Sequence, residues 1–359
     1  MIKKTIFLSL CFLLLFGFTF SVDSNAASKE VIKLVMSSPW PPSPNTLGSG
    51  VEWFMDQLEK RSNGRVKFER HWAGSLTSGP GSLEALKTGV VDLGGMAWLY
   101  NPGLTPIGMI DFAVPFGTTD AWIQNQVKRE FYKKTPEAME ELKRYNIVPV
   151  VWVSSPARDL ITQFPVNSLD DLKGKKLGAP GSFLPKYVKA AGASGVHAPM
   201  TEAYMMHQKG VIEGQILTID LITDFKLYEV CKYFTEIDFA SVTHVIFGFN
   251  SDSFNRLPKD IQQLALQIGE ECSPWYCKWL KKRVQEMKEH LKKNGVKFSK
   301  LPDSERKKWV ENMFYIPGSW AKDMEAKKLP GKTMIKTYIQ LMKDKGHTFP
   351  EGWDVNKNY

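Results

Sequence analysis

The sequence predicts an α/β protein built from two lobes. Short apolar strands alternate with amphipathic helices along most of the chain, which is typical of α/β folds. The chain has 359 residues, and even without an N-terminal leader it is longer than one hydrophobic core usually serves. A sequence pattern of a helix end, a glycine, two β-branched residues and an acid occurs twice, at 86–94 and 207–215. This is expected if each lobe uses the same helix-to-strand turn once.

The N-terminus has the composition of an export signal. Lys3 and Lys4 precede an apolar run at 6–20, and 24–27 offers the small residues that a signal peptidase recognises. The run is shorter than the ~20 residues of a membrane-spanning helix. We therefore predict a cleaved signal peptide at 1–27 and a periplasmic protein.

The first lobe is expected to begin with alternating strands and helices. Apolar patterns at 31–36 and 65–69 predict strands, and apolar residues at helical spacing predict a helix at 50–60 between them. A second helix is expected to end at Gly89, which takes the position of a left-handed cap. The next strand is expected to start at Val90.

Two helices are predicted after the second lobe. The first follows Leu257 and Pro258 and runs to about residue 271. Ser273 and Pro274 then predict the cap and first turn of a longer amphipathic helix that spans both lobes.

The chain is expected to cross between the lobes twice, once after a strand at 147–153 and again near 242–250. These crossings imply a hinge. The predicted divisions are the signal peptide at 1–27, lobe I at 28–153 with about 242–272 returning to it, lobe II at 154–241, the spanning helix at 273–296 and a C-terminal helical region at 297–359.

Composition argues against several classes of protein. The formal net charge is +9, but the lysines concentrated at 278–293 are typical of a solvated helix face, and no interleaved arginines and aromatics favour nucleic-acid binding. The histidines lack metal-ligand spacing, and phosphate-binding and nucleophile motifs are missing. We therefore expect no enzyme, no metal and no cofactor. Three cysteines beyond the leader are expected to be small buried residues: Cys231, Cys272 and Cys277.

Arg158 is the strongest single candidate for ligand binding. It comes just after a strongly apolar strand, and so it is expected near a junction of the lobes. A guanidinium there presents two parallel donors to a carboxylate. The alternative is an internal pairing with Asp159 or another acid.

Three segments resemble the solute-binding proteins of TRAP (tripartite ATP-independent periplasmic) transporters. They are Asp-Leu-Lys-Gly-Lys-Lys-Leu-Gly-Ala-Pro at 171–180, Gly-Val-Ile-Glu-Gly-Gln at 210–215 and Leu-Pro at 257–258. The resemblance implies two α/β lobes that close on a ligand, with a ligand-contacting arginine at Arg158. It also implies delivery of the ligand to TRAP membrane subunits.

Two positions depart from the family's pattern. The main carboxylate-binding arginine of the family falls on Gly178, and Ile216 and Leu217 stand where relatives often have Glu-Asn. Losing a cation and two polar groups makes the expected pocket less charged and more apolar. The chain is therefore expected to be a divergent member that lacks the usual second ligand arginine.

Aromatic side chains are expected to compensate for the lost arginine. Trp40, Trp98, Tyr100 and Phe183 lie in loops after predicted strands, where sites form in α/β folds, although core packing is the alternative for each. We predict a monocarboxylate with an apolar or aromatic body, held by Arg158. The remaining candidate ligand residues are Leu217, Thr218 and Asp220.

Two other functions stay open. A bilobed receptor could serve another transporter or a sensor, and a secreted hydrolase or lyase could use a similar two-lobed frame. The second alternative predicts turnover of the bound compound and a catalytic group with a perturbed pKa in the cleft.

Overall fold

Two separate β-sheets organise the chain, which confirms the predicted two-lobed α/β fold. The computed structural model describes residues 31–353. The predicted signal peptide at 1–27 lies outside the described residues. Within 31–353, no helix combines the length and the apolar character needed to cross a membrane.

Lobe I is the part of the chain packed around the five-stranded sheet. Its strands are β1 (Ile32–Ser37), β2 (Val66–His71), β3 (Leu93–Ala97), β4 (Ile147–Ser154) and β10 (Thr243–Asn250). They lie in the order β2–β1–β3–β10–β4, with β1, β2 and β3 parallel and β10 antiparallel to both of its neighbours. The helices of this part are α1 (Ser49–Arg61), α2 (Ser82–Thr88), α3 (Ile110–Ala113), α4 (Ala121–Lys134) and α5 (Pro136–Arg144).

Lobe II is the part packed around the six-stranded sheet. Its strands are β5 (Arg158–Thr162), β6 (Lys176–Gly178), β7 (Ser194–Val196), β8 (Gly214–Thr218), β9 (Tyr233–Glu236) and β11 (Lys297–Lys300). They lie in the order β11–β9–β5–β8–β6–β7. The helices between them are α6 (Leu184–Ala190), α7 (Met200–Gln208) and α8 (Ile219–Asp224).

Each sheet buries apolar side chains on both faces. Along β5 and β8, Leu160 and Ile216 belong to one buried cluster, whereas Ile161 and Leu217 belong to the cluster on the other face. The three cysteines of the described part are free and buried, as predicted.

The sequence pattern repeated at 86–94 and 207–215 forms the same turn in both lobes. Gly89 and Gly210 both adopt the left-handed conformation, with φ of 73° and 68°. The following acid then accepts a hydrogen bond from the neighbouring parallel strand: Asp92 from the Val35 amide at 2.8 Å, and Glu213 from the Lys176 amide at 3.1 Å. The strand prediction at Val90 was wrong, because these residues complete the turn and β3 begins at Leu93.

A single helix, α10 (Lys259–Lys293), replaces the two helices predicted on either side of Ser273. Pro274 lies inside it. The buried positions continue at helical spacing through the proline, so packing on lobe I holds the helix together there. This stripe includes Ile261, Ala265, Ile268, Cys272, Tyr276 and Leu280. The short α9 (Ser251–Arg256) precedes α10.

The C-terminal region begins with a strand, so the prediction that 297–359 is helical was wrong at its start. β11 pairs in parallel with β9 at the edge of the lobe II sheet. Three helices follow and reach both lobes, since the first packs on α6 and the last on α4. They are α11 (Asp303–Met313), α12 (Tyr315–Ala326) and α13 (Gly331–Asp344).

The two crossings lie side by side. The chain leaves lobe I between β4 and β5 and returns between β9 and β10. The Ser155 amide donates to the Val242 carbonyl at 2.8 Å, and the Arg158 amide donates to the Ala240 carbonyl at 3.1 Å. The connecting segments are therefore hydrogen-bonded to each other, which is the arrangement of a two-stranded hinge.

Candidate functional site

Side chains of the two lobes approach each other beside the hinge. In lobe II, Arg158 is the first residue of β5 and lies directly opposite Thr218, the last residue of β8. In lobe I, Thr243 and His244 open β10 directly after the second crossing. The hinge thus brings ends of central strands of the two sheets together.

Arg158 is a buried cation without an anionic partner. Its side chain is only 8% exposed, and its guanidinium carbon lies 4.8 Å from the centre of the Phe112 ring. Among residues 31–353, the guanidinium has no hydrogen-bond or salt-bridge partner. Burial lowers the pKa of Arg158, but an arginine stays protonated across the physiological range.

The alternative pairing of Arg158 with Asp159 is not formed. Successive residues of a strand point to opposite faces, and Asp159 turns away from the guanidinium. Its carboxyl oxygen accepts hydrogen bonds from the Ile237 amide at 2.9 Å and the Asp238 amide at 3.3 Å. Burial raises the pKa of Asp159 to about 7.

An aromatic wall lies beside Arg158 and is built from both lobes. Phe112 of lobe I and Phe183 of lobe II stack with ring centres 6.1 Å apart. Tyr187 lies 6.3 Å from Phe183, and its hydroxyl donates to the Phe112 carbonyl across the lobes. Phe183 was predicted as a ligand residue, whereas no periodicity or motif marked Phe112 or Tyr187.

Asp220 links the lobes on another side of the junction. It lies in the first turn of α8, and one of its carboxylate oxygens, Oδ2, accepts a hydrogen bond from the Thr46 hydroxyl of lobe I. Asn45 makes a second bridge, from its Nδ2 to Asp224 Oδ2 at 3.2 Å. The other Asp220 oxygen, Oδ1, is buried and has no hydrogen-bond partner in the part of the chain that is described.

His244 is a polar residue of the junction that the sequence reasoning missed. Burial, together with the nearby Arg158 charge, lowers its pKa to about 3. The imidazole is therefore neutral at physiological pH. Its Nδ1 is buried and has no partner within residues 31–353.

Four other predicted ligand residues pack in the cores of the lobes or against other aromatic rings. Trp98 is fully buried in the lobe I core, stacked on Trp152 with 6.2 Å between ring centres. Leu217 packs in the lobe II core on the face of β8 opposite Thr218. Trp40 stacks on Tyr100 with 6.4 Å between ring centres and also packs edge-on against the buried Phe247 ring at 6.0 Å, while Tyr100 is 42% exposed.

The two-lobed arrangement and the sequence motifs agree with comparison to known proteins. A model of the bacterial extracellular solute-binding protein family 7, DctP, matches residues 36–322. The chain belongs to this family. Its members are periplasmic solute-binding proteins of TRAP transport systems rather than enzymes.

Relatives of this family match most of the chain. A solute-binding protein of Albidiferax ferrireducens is 25% identical over 264 residues, covering 72% of this chain and 76% of that protein. A TRAP solute-binding protein of Rhodoferax ferrireducens, solved with copurified benzoate, has a TM-score of 0.77 at 21% identity and covers 88% of this chain and 98% of its own. A marine metagenome TRAP protein specific for aromatic acids, solved with metahydroxyphenylacetate, has a TM-score of 0.78 at 21% identity and covers 88% of this chain and 100% of its own.

Gly178 is the clearest departure from the pattern of the DctP family. A Cβ atom added at Gly178 would lie 2.3 Å from Gln215 Nε2, so the Gln215 amide covers the space in front of this residue. The other amide atom, Oε1, lies 3.3 Å from His207 Nε2. A neutral amide thus occupies the place where the resemblance puts the second arginine.

The lobes are closed against each other at Arg158. The Thr46–Asp220 and Tyr187–Phe112 hydrogen bonds both join lobe I to lobe II. A cavity of about 630 Å³ instead lies on the opposite face of β5, where it is lined by Asp159 and by residues of α10. In residues 31–353, no three His, Cys, Asp or Glu side chains are grouped so that they could hold a metal ion.

Proposed function

We propose that this DctP-family protein is an extracytoplasmic receptor for a small organic monocarboxylate with an apolar or aromatic body. It captures the ligand between the lobes, with Arg158 as the carboxylate clamp, and delivers it to TRAP membrane subunits. The observation that carries the proposal is the Arg158 guanidinium, which is buried against Phe112 without an anion.

The charge of the junction favours a ligand with one carboxylate. Removing a cation from water costs several kcal/mol unless an anion compensates it. A carboxylate on Arg158 supplies that anion and forms two charge-assisted hydrogen bonds. At position 178, the glycine and the Gln215 amide offer no second cation for a second carboxylate.

The surroundings of Arg158 favour an apolar or aromatic body. Phe112, Phe183 and Tyr187 line one side of it, and aromatic pairs gain about 0.5–1.5 kcal/mol beyond their buried area. The related proteins solved with benzoate and metahydroxyphenylacetate bind acids of this kind.

Binding is expected to follow closure of the lobes. Hydrogen bonds such as Thr46–Asp220 form only when lobe I and lobe II approach, so a ligand that contacts both lobes shifts the population toward the closed form. Small-angle scattering should show compaction when a saturating ligand is added. An unchanged radius of gyration at saturation contradicts closure.

Calorimetric titration with benzoate, phenylacetate, hexanoate and succinate tests the proposal. We expect one-to-one binding of at least one monocarboxylate, weaker binding of succinate, and a loss of about tenfold to a hundredfold for Arg158→Ala, since a charge-assisted hydrogen bond contributes about 1.5–3 kcal/mol. Arg256→Ala is the matched control, because that arginine is largely exposed. An Arg158→Ala variant that binds as tightly as wild type contradicts the clamp.

The same samples distinguish a receptor from an enzyme. Mass spectrometry should recover the bound acid unchanged after prolonged incubation, whereas new products would favour the hydrolase or lyase. Uptake of the acid by membrane vesicles that contain TRAP subunits tests delivery. Uptake only with a different transporter would contradict this part of the proposal.

A further inference from the structure

The carboxylate of Asp220 is satisfied on one side only. Asp220 is 5% exposed, and its Oδ2 accepts from the Thr46 hydroxyl. Its Oδ1 is buried without a hydrogen-bond donor among residues 31–353. A buried acceptor of this kind is normally paired, and leaving it unpaired is costly.

Asp220 lies close to Arg158 but does not neutralise it. Strand β8 ends at Thr218, which pairs with Arg158 across the sheet. Asp220 follows Thr218 by two residues. Their charges interact electrostatically, yet no salt bridge joins them in the described part of the chain. The junction therefore holds a cation without an acceptor and an acceptor without a donor.

A small molecule with complementary groups would satisfy both residues at once. Its carboxylate would pair with Arg158, and a hydroxyl or N–H group on its body would donate to Asp220 Oδ1. A plain apolar acid would fill the first position and leave the Asp220 oxygen unpaired. A site built to pair a polar group discriminates strongly against analogues that lack that group.

We propose that Asp220 is a specificity-determining residue that selects monocarboxylates carrying a hydroxyl or N–H donor. This inference rests on the proposed function, in which Arg158 holds the carboxylate. Asp220 then has two roles, since Oδ2 joins the lobes through Thr46 and Oδ1 recognises the ligand.

Matched pairs of acids that differ by one donor test the inference. Suitable pairs are mandelate with phenylacetate, 3-hydroxybenzoate with benzoate, and pyroglutamate with cyclopentanecarboxylate. For at least one pair, we expect wild type to bind the acid with the donor about tenfold to a hundredfold more tightly by calorimetry. Asp220→Ala should bring the two affinities within about threefold of each other.

Thr46→Val separates recognition of the ligand from joining of the lobes. This variant removes the hydrogen bond between the lobes but keeps the Asp220 carboxylate, so both acids of a pair should weaken by the same factor and the preference should persist. Circular dichroism checks that each variant is folded. If Asp220→Ala keeps the full preference, or tightens both acids by removing a competitor for Arg158, the inference is wrong.

The outcomes distinguish this inference from the proposed function. Equal wild-type affinities within every pair overturn the role of Asp220 and leave the monocarboxylate receptor standing. An absence of binding to all six acids and to hexanoate overturns both proposals.

Discussion

Lobe I buries Lys128 and lobe II buries Arg158, and the surroundings of these two cations differ. Lys128 is completely buried, and its Nζ donates to Asp111 at 2.5 Å and to the Gly108 carbonyl at 2.7 Å. Arg158 is nearly as buried, but it rests on Phe112 without an anion.

The partners of Lys128 are themselves satisfied. Asp111 also accepts hydrogen bonds from the Tyr338 hydroxyl at 2.9 Å, the Gln124 amide at 3.1 Å and the Thr243 backbone amide at 2.7 Å. This network ties α3, α4, α13 and β10 together. Because the Lys128 ammonium and both Asp111 oxygens are paired within the chain, this ion pair supports the structure of lobe I and calls for no ligand.

The comparison distinguishes a charge that stabilises the fold from a charge that is held for binding. A buried ion whose partners all belong to the chain contributes to folding when it is intact and costs stability when it is broken. A buried ion that lacks a partner costs stability in the free protein and recovers it when an anion binds.

The largest effect is expected at Lys128. Lys128→Met leaves the Asp111 carboxylate buried without its cation, so the free energy of unfolding in urea should fall by about 3–5 kcal/mol. Lys133→Met, on an exposed position of the same helix, should change it by less than about 0.5 kcal/mol. A neutral result for Lys128→Met would show that the network does not support lobe I.

Buried carboxyl groups in both lobes make stability depend on pH. Burial raises the pKa of Glu141 in lobe I to about 7 and that of Asp159 in lobe II to about 7. Between about pH 4 and pH 7, the folded chain retains protons that the unfolded chain has released, so stability should fall as pH rises through this range and level off above it. Each group contributes on the order of 3–4 kcal/mol.

Urea unfolding at a series of pH values measures this dependence. Glu141→Gln and Asp159→Asn should each flatten part of the slope. A stability that rises steadily from pH 4 to pH 7 in wild type, or a slope that both variants leave unchanged, contradicts the pKa assignments.

Gly178→Arg tests whether the number of cations in the site sets the number of carboxylates on the preferred ligand. The new side chain must displace the Gln215 amide, so we expect a loss of about 1–3 kcal/mol in unfolding free energy. The variant should also bind succinate more tightly than wild type does. Gly178→Ala displaces the amide without adding charge, so it should lower stability without raising the affinity for succinate. An equal rise in succinate affinity in both variants would rule out the added cation as the cause.

A smaller effect is expected at Phe112, the ring beneath Arg158. Phe112→Leu removes the cation–π contact and the stack with Phe183, and the affinity for benzoate should fall about three- to tenfold. Phe68→Leu, in β2 of lobe I, should leave calorimetric affinity unchanged. Equal losses in the two variants would assign the effect to general loosening of lobe I.

The sequence predicted the elements whose signals are local. The two-lobed fold, the left-handed glycines at 89 and 210 and the buried cysteines followed from composition and turn chemistry. The break predicted at Pro274 was wrong, because a buried stripe on lobe I outweighs the local effect of one proline. β11 was missed, since its pairing with β9 depends on a contact distant in sequence.

The candidate site was less predictable than the fold. Arg158 was identified from its position after an apolar strand. Its lack of a partner depends on the structure, in which the Asp159 carboxylate accepts from the Ile237 amide and points away from the guanidinium. Phe112, Tyr187 and His244 reach the junction from separate segments, so no spacing in the chain marks them. Trp98 was placed in the site by its loop position, whereas its complete burial puts it in the lobe I core.

Replacing Arg158 by methionine tests the central claim most directly. Thermal unfolding of wild type and Arg158→Met is measured with and without a saturating monocarboxylate that wild type binds. Without the acid, Arg158→Met should be as stable as wild type or more stable, because an uncompensated buried charge has been removed. With the acid, the melting temperature should rise clearly more for wild type than for Arg158→Met, because the variant binds the acid more weakly. Strong destabilisation of the free variant, or an equal rise in both proteins, would contradict the assignment of Arg158 to ligand binding.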